Sequence, residues 1–275
     1  MKKVLILGGS GLVGYTLVKK FKQHNWWVSA LTFQREVKEA DNTIHLDLSK
    51  AMSFNELPDL NTFDLIVNTL AITDVKSNES RFIEAFTLHA ELSRYLARNS
   101  TKYVYISTVA VYSETLETND NANILLSNWY SKTKFFGEPN SHHLTLRINV
   151  IGLESLTKRS LLEWAYHNLT KNNVITGFEN EFINPVLPIH VFEIIIRYAE
   201  KKINPGIYDL GSKKIVSKYS LIKSIAELIG KEDYLKKGKS GSEDKYQVTQ
   251  NENTLIANFE FKDYVSRYLE EIKRA

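Results

Sequence analysis

The chain of 275 residues contains no cysteine. Disulfide bridges, thiolate metal sites and cysteine nucleophiles are therefore excluded, and the composition is compatible with a reducing compartment. Long apolar runs are missing too. No stretch approaches the roughly 18 continuous apolar residues that a membrane span needs. The run from Val4 to Leu7 is ended by Gly8 and Gly9, too soon for the core of a secretory signal. A cytoplasmic protein is the expectation. Charge of one sign is scarce: the formal net charge is only +3. That balance leaves no footprint for nucleic acid but accommodates an anionic small molecule. The pair His142-His143 has no acidic partner at metal-like spacing, so no metal site is expected.

What is present is a 43% hydrophobic fraction with 24% charged residues, enough for a sizeable core in a soluble globular protein. The length suits one large α/β domain with a smaller lobe built on it. Short apolar runs alternate with amphipathic stretches through the first half. Strands are expected at residues 4–7, 26–32, 43–46, 65–69, 103–107 and 144–149, and helices at 12–24, 82–99 and 128–139. The first helix carries Leu12, Val13, Leu17, Val18 and Phe21 on one stripe. Strands separated by helices imply βαβ units and a parallel sheet, and two three-strand halves describe a Rossmann arrangement, doubly wound. After Gly152 the pattern loosens. Helices are expected at 158–170, 191–201, 217–229 and 261–273 and a strand at 207–210. A loop spans 177–188, and 231–245 is read as an exposed polar loop. Residues 1–152 are thus read as the nucleotide-binding domain. Residues 153–275 are read mainly as a substrate lobe, with some elements returning to the main sheet.

Gly8, Gly11 and Gly14 stand between the first strand and the first helix. The first glycine permits a sharp turn, the second lets backbone approach a pyrophosphate, and the third lets helix and strand pack closely. The helix start at Leu12 and Val13 then offers N–H groups to phosphates. This pattern predicts a dinucleotide. No acid appears before Glu36 at the end of the second strand, and Arg35 could pair with a 2′-phosphate. NADP is favoured on that ground, with NAD as the alternative. Asp47 and Leu48, after the third strand, are placed to border the adenine ring, and Asp47 serves equally as a helix cap.

Tyr130 and Lys134 lie one helical turn apart, on one face. A free tyrosine ionises near about 10, and a neighbouring ammonium favours the phenolate, so Lys134 is expected to lower the Tyr130 pKa. Tyr130 could then exchange a proton with a carbonyl or alcohol oxygen. Ser107-Thr108 ends the fifth strand, where a hydroxyl faces the ligand crevice.

The glycine loop, the stretch Tyr-Val-Tyr-Ile-Ser-Thr-Val-Ala-Val-Tyr and the segment Tyr-Ser-Lys-Thr-Lys-Phe-Phe-Gly-Glu resemble extended short-chain dehydrogenases/reductases, and most closely the dTDP-4-dehydrorhamnose reductase group. Val67-Asn68-Thr69-Leu70-Ala71, Leu146-Arg147-Ile148-Asn149, Phe182-Ile183-Asn184-Pro185-Val186 and Pro205-Gly206-Ile207-Tyr208 carry the likeness into the lobe. The resemblance implies Thr108, Tyr130 and Lys134 as catalytic residues and places Asn68, Thr69, Leu70 and Ala71 along the cofactor. It also implies a nucleotide-linked sugar as substrate, touched by Thr108, Arg147 and Asn149, with Lys158 and Arg159 as further cations for a diphosphate; Arg147 reads equally as a structural ion-pair partner. A homodimer is compatible with it. His89 stands where the family often has asparagine, and packing is the expected role. The sixth strand reads Arg-Ile-Asn-Val where the rhamnose enzymes commonly read Arg-Thr-Ser-Trp, which leaves the sugar open. A reductase of a 4-keto sugar is the leading function. A sugar-nucleotide epimerase and a non-catalytic NADP-binding regulatory subunit are the alternatives.

Overall fold

Val4, Leu5, Ile6 and Leu7 are all fully buried, as a strand covered on both faces must be. In the computed structural model, which describes residues 1–114, 124–139, 142–152, 160–250 and 252–274, they form β1 (Lys3–Leu7). Parallel neighbours flank it: β2 (Trp27–Thr32) on one side and β4 (Leu65–Asn68) on the other. β3 (Asn42–His45) borders β2, and β5 (Tyr103–Thr108) and β6 (Leu144–Ile148) follow β4. With β9 (Gly206–Ser212) and β13 (Thr254–Ala257) the order is β13-β9-β6-β5-β4-β1-β2-β3, every described pair parallel. The chain reverses its winding between β1 and β4, and that switch point opens a crevice beyond the strands' C-terminal ends.

Side chains of one strand alternate between two helical layers. Val4 and Ile6 join Leu17 and Phe21 of α1 (Leu12–Gln23) and Phe192 and Ile195 of α7 (Pro188–Ala199). Leu5 and Leu7 face the opposite layer, with Leu92 and Leu96 of α4 (Leu92–Asn99). Full burial of those strand residues contributes about 1.5–3 kcal/mol each. A separate cluster builds the lobe from α6 (Leu161–Thr170), α8 (Lys218–Ile229) and α9 (Phe261–Arg274). Among the described residues no helix is long and apolar enough to cross a membrane, and no His, Asp and Glu group could hold a metal ion.

The lobe corrects two expected loops. Residues 177–188 include the end of β7 (Ile175–Phe178) and β8 (Glu181–Ile183), and 231–245 contains β11 (Leu235–Gly238) and the start of β12 (Lys245–Gln247). β11 pairs with β7, and β12 with β8, while β10 (Val216–Ser217) covers β8's other edge. These strands are short and partly exposed, so they lack the apolar alternation that marks a strand in sequence. β13 was not expected either. The helix expected at 82–99 is interrupted. α2 (Val75–Ser80) and α3 (Phe82–Phe86) precede a π turn at Thr87–Glu91, and α4 follows.

α5 (Trp129–Phe136) ends against that π turn. A Cβ on Gly137 would come within 1.9 Å of the His89 carbonyl oxygen. Gly137→Ala should therefore lower the unfolding free energy in urea by about 1–3 kcal/mol, as overpacking does. A variant as stable as the wild type would contradict this close approach.

Candidate active site

The glycine loop is held in shape from β4. Gly8 has φ +81°, and a Cβ on Gly14 would lie 2.1 Å from the Gly8 carbonyl oxygen. Thr69 Oγ1 donates to the Leu7 carbonyl at 2.7 Å and ties the two strand ends together. α1 starts on Gly11, which supplies no side-chain cap, so its first N–H groups are left for an anion. Asn68 is fully buried. Its Oδ1 accepts from Leu70 N–H at 3.0 Å and its Nδ2 donates to Tyr103 at 3.1 Å, so it shapes the turn from beneath.

The segment after β4 separates two cavities. Thr69 and Ala71 line a crevice of about 340 Å³ together with Val13, Thr108, Tyr130, Lys134 and Asn149. Leu70 and Ile72 line a neighbouring cavity with Asp47 and Leu48. Asp47 accepts from Ser49 N–H at 3.0 Å, and the Ser49 side chain and then this backbone bond hold its carboxyl below the usual range. Arg35 is exposed beyond β2, where its backbone carbonyl accepts from Thr32 Oγ1 at 2.6 Å. Lys50 and Arg81, which the sequence pattern did not single out, line the Asp47 cavity. The pair of cavities fits a dinucleotide: a diphosphate at the glycine loop, adenine beside Asp47 and Leu48, and the reactive end beside Tyr130.

Asn128 places α5, the helix that carries Tyr130 and Lys134. Its Oδ1 accepts from Ser131 N–H at 2.9 Å, and Ser131 Oγ returns the bond at the cap, which sets Tyr130 in the first turn and Lys134 one turn later. Tyr130 and Thr108 line the same crevice. Desolvation raises the Tyr130 pKa above its ordinary value, and the neighbouring Thr108 side chain offsets this only in part. Lys134 is directed elsewhere: Nζ donates to the Ile106 carbonyl at 2.6 Å and lies 4.2 Å from the centre of the Tyr105 ring. Burial pulls its pKa down to about 7, with Glu138 opposing. The expected lowering of the Tyr130 pKa by Lys134 is therefore not what the protein's own groups produce. Tyr130 is a protonated phenol at neutral pH, which suits a proton donor.

Arg147 is not brought to the crevice. Its fork binds Glu138 through Nε at 2.9 Å and Nη2 at 2.7 Å, and Nη1 donates to Tyr112 at 2.7 Å. Asn149 is in the crevice, where Nδ2 donates to the Gln247 carbonyl at 3.4 Å. Lys158 and Arg159 lie outside the described residues. Thr73 and Gln247 also line the crevice. Gln247 carries no motif, and only the β12–β8 pairing brings it there.

Lys134 also gives stability a pH dependence. The unfolded lysine holds its proton to about its ordinary 10.5, and the buried one releases it near 7. Between those values the unfolded chain binds more protons, so folding gains as pH rises. Lys134→Met removes that gain. In urea titrations the wild-type advantage over the variant should climb by up to about 1.4 kcal/mol per pH unit above neutrality. A flat difference would mean that Lys134 keeps its charge.

Comparison with known proteins agrees with this geometry. The RmlD substrate binding domain family matches residues 1–257. The spore coat polysaccharide biosynthesis protein SpsK of Bacillus subtilis is 26% identical over 250 residues, covering 84% of this chain and 81% of that protein. A dTDP-4-dehydrorhamnose reductase of Clostridium acetobutylicum superimposes with a TM-score of 0.77 at 19% identity, over 98% of this chain and 99% of its own. The dTDP-4-dehydrorhamnose reductase of Bacillus anthracis, solved in complex with NADP, gives a TM-score of 0.74 at 17% identity with the same coverage. With the match running from the glycine loop through the lobe strands, the chain belongs to the RmlD substrate binding domain family.

Proposed function

We propose that this protein is an NADPH-dependent reductase of a nucleotide-linked 4-keto sugar. The observation that carries the reading is the meeting of Thr108, Tyr130 and Lys134 in one crevice that reaches Val13 at the start of α1. The backbone at Gly8, Gly11, Leu12, Val13 and Gly14 would hold the cofactor's diphosphate, and Lys134 its ribose. Bound there, the nicotinamide supplies a hydride to the carbonyl carbon. Tyr130 gives its phenolic proton to the carbonyl oxygen as negative charge develops there, and the Thr108 hydroxyl hydrogen-bonds the same oxygen. The carbonyl gains one hydride and one proton and becomes an alcohol.

The rest of the substrate has room to extend into the lobe. Gln247 lines the crevice and also a second cavity of about 210 Å³ with Glu181, Phe182, Lys218 and Lys245. Arg147 is engaged with Glu138, and in the second cavity Lys218 is paired with Glu181, so Lys245 would be the cation offered to a diphosphate there.

Tyr130→Phe removes the proton donor and keeps the ring. It should abolish NADPH oxidation with a keto sugar that the wild type reduces, leaving the cofactor affinity close to normal. Full activity in that variant would remove Tyr130 from the mechanism. In the same assay, interconversion of stereoisomers without net NADPH consumption would replace the reductase with an epimerase. NADPH binding without turnover on any sugar would favour a regulatory subunit.

The cofactor preference follows from charge. No acid stands at the end of β2 before Glu36, and Arg35, Lys50 and Arg81 lie at or near the adenosine end. Calorimetry should find NADPH bound more tightly than NADH. Equal or reversed affinities would overturn this assignment and leave the fold untouched.

A further inference from the structure

His89 sits in the π turn with no exposed surface, and its edge meets the Tyr130 ring at 6.0 Å between centroids. Both ring nitrogens are engaged by protein groups. The Ile72 backbone N–H donates to Nε2 at 2.9 Å. A backbone N–H can only donate, so Nε2 carries a lone pair and the imidazole proton resides on Nδ1. Nδ1 lies 2.8 Å from Thr133 Oγ1 and donates to it. Thr133 passes its own hydroxyl proton back to the Trp129 carbonyl at 2.9 Å. Every bond in this chain has one direction, and no nitrogen is left for a water. Burial, and then the charge on Lys134, hold the imidazole well below its usual pKa.

The two ends of the chain lie at functionally different places. Ile72 belongs to the segment that separates the two cavities, and Asn78 holds it from the other side, Nδ2 donating to the Ile72 carbonyl at 2.6 Å. Thr133 lies on α5 between Tyr130 and Lys134. The His89 backbone meets the end of the same helix: its carbonyl packs on Gly137 and also accepts from the Tyr105 hydroxyl of β5 at 3.0 Å. A π turn admits one extra residue per turn and is found mostly at functional sites.

We propose that His89 is a positioning residue, locking the segment that lines the cofactor crevice to the helix that carries Tyr130 and Lys134, with its proton fixed on Nδ1. It takes no part in proton relay. Its Nε2 bond sets the cofactor wall, and its Nδ1 bond sets the helix. The turnover part of this proposal rests on the reductase reading; the tautomer does not.

The test separates the two bonds. Nitrogen-15 NMR of histidine-labelled protein should show one neutral imidazole with its proton on Nδ1, unchanged from about pH 8 down to about pH 5. A proton on Nε2, or titration in that window, would overturn the lock. His89→Gln retains an acceptor near the Nε2 position, and His89→Asn a donor near Nδ1. Each lost bond should weaken its own readout on the order of tenfold. His89→Gln should lose turnover while NADPH affinity stays close to wild type. His89→Asn should lose NADPH affinity more than turnover at saturating cofactor. Equal losses in both variants on both readouts would make His89 a mere packing residue and overturn the proposal. Absence of turnover in the wild type, together with the Nδ1 tautomer and the split in NADPH affinity, would remove the reductase and leave the lock standing.

Discussion

The site depends on a buried ion pair behind it. Glu138, just beyond α5, receives two bonds from the Arg147 guanidinium of β6 and one from Ser107 Oγ at 2.7 Å on β5. Tyr112 accepts from Arg147 and donates to Asp209 of β9 at 2.8 Å, and Asp209 accepts from Gln250 N–H at 2.8 Å. One connected set of charges thus fixes the end of α5, three strands and the chain leading out of β12. A buried pair of this kind adds little net stability, since desolvation offsets much of the attraction. Removing one partner leaves the other charged and unpaired, at a cost of about 3–5 kcal/mol. The pair works mainly as a fastening. It holds the end of α5 against β5 and β6, so Tyr130 lines the same crevice as Thr108 and Asn149.

That fastening also shows where the sequence could and could not be read. The glycine loop, β1 and α1 are contiguous, and their signals lie within one turn of chain, so the strand, the tight turn and the helix were legible. Tyr130 and Lys134 were legible for the same reason. Arg147 was legible only in part. A strand-end arginine beside an asparagine reads equally as an ion-pair partner and as a ligand contact, and nothing local says that its partner is Glu138 on another element. The lobe strands failed likewise. β11 is Leu-Lys-Lys-Gly, which has no strand pattern alone and becomes a strand only because β7 lies alongside it. Asn68 was placed along the cofactor by resemblance, and the structure puts it under the turn, because its amide completes a hydrogen bond with buried Tyr103.

The electrostatics of the reacting pair differ from the simple picture of an ammonium that lowers a phenol's pKa. Burial acts fully on Lys134 and partly on Tyr130, and favours the uncharged form of each. Tyr130 is held as a phenol, and Lys134 is brought close to neutrality with its Nζ on a backbone carbonyl. A reduction needs a proton donor at the start of the reaction, and a phenol is one. The reverse oxidation needs a base and would gain less from the same environment. The bias lies in the desolvation of α5's inner face, which the fold supplies before any ligand arrives.

The segment after β4 connects the two ends of the cofactor site. Alternate residues point into alternate cavities: Thr69 and Ala71 into the crevice with Tyr130, Leu70 and Ile72 into the cavity with Asp47. A shift of this segment that widens one cavity must change the other, because the same backbone forms both walls. Three anchors oppose such a shift. Thr69 is tied to the Leu7 carbonyl, Leu70 N–H to Asn68, and Ile72 to Asn78 and His89. Contacts made at the adenine end can therefore be transmitted to the wall beside Tyr130 as strain on a short, tethered strand end. Binding interactions far from the reacting carbonyl can then help position it, and this is how remote contacts raise the rate of a chemical step.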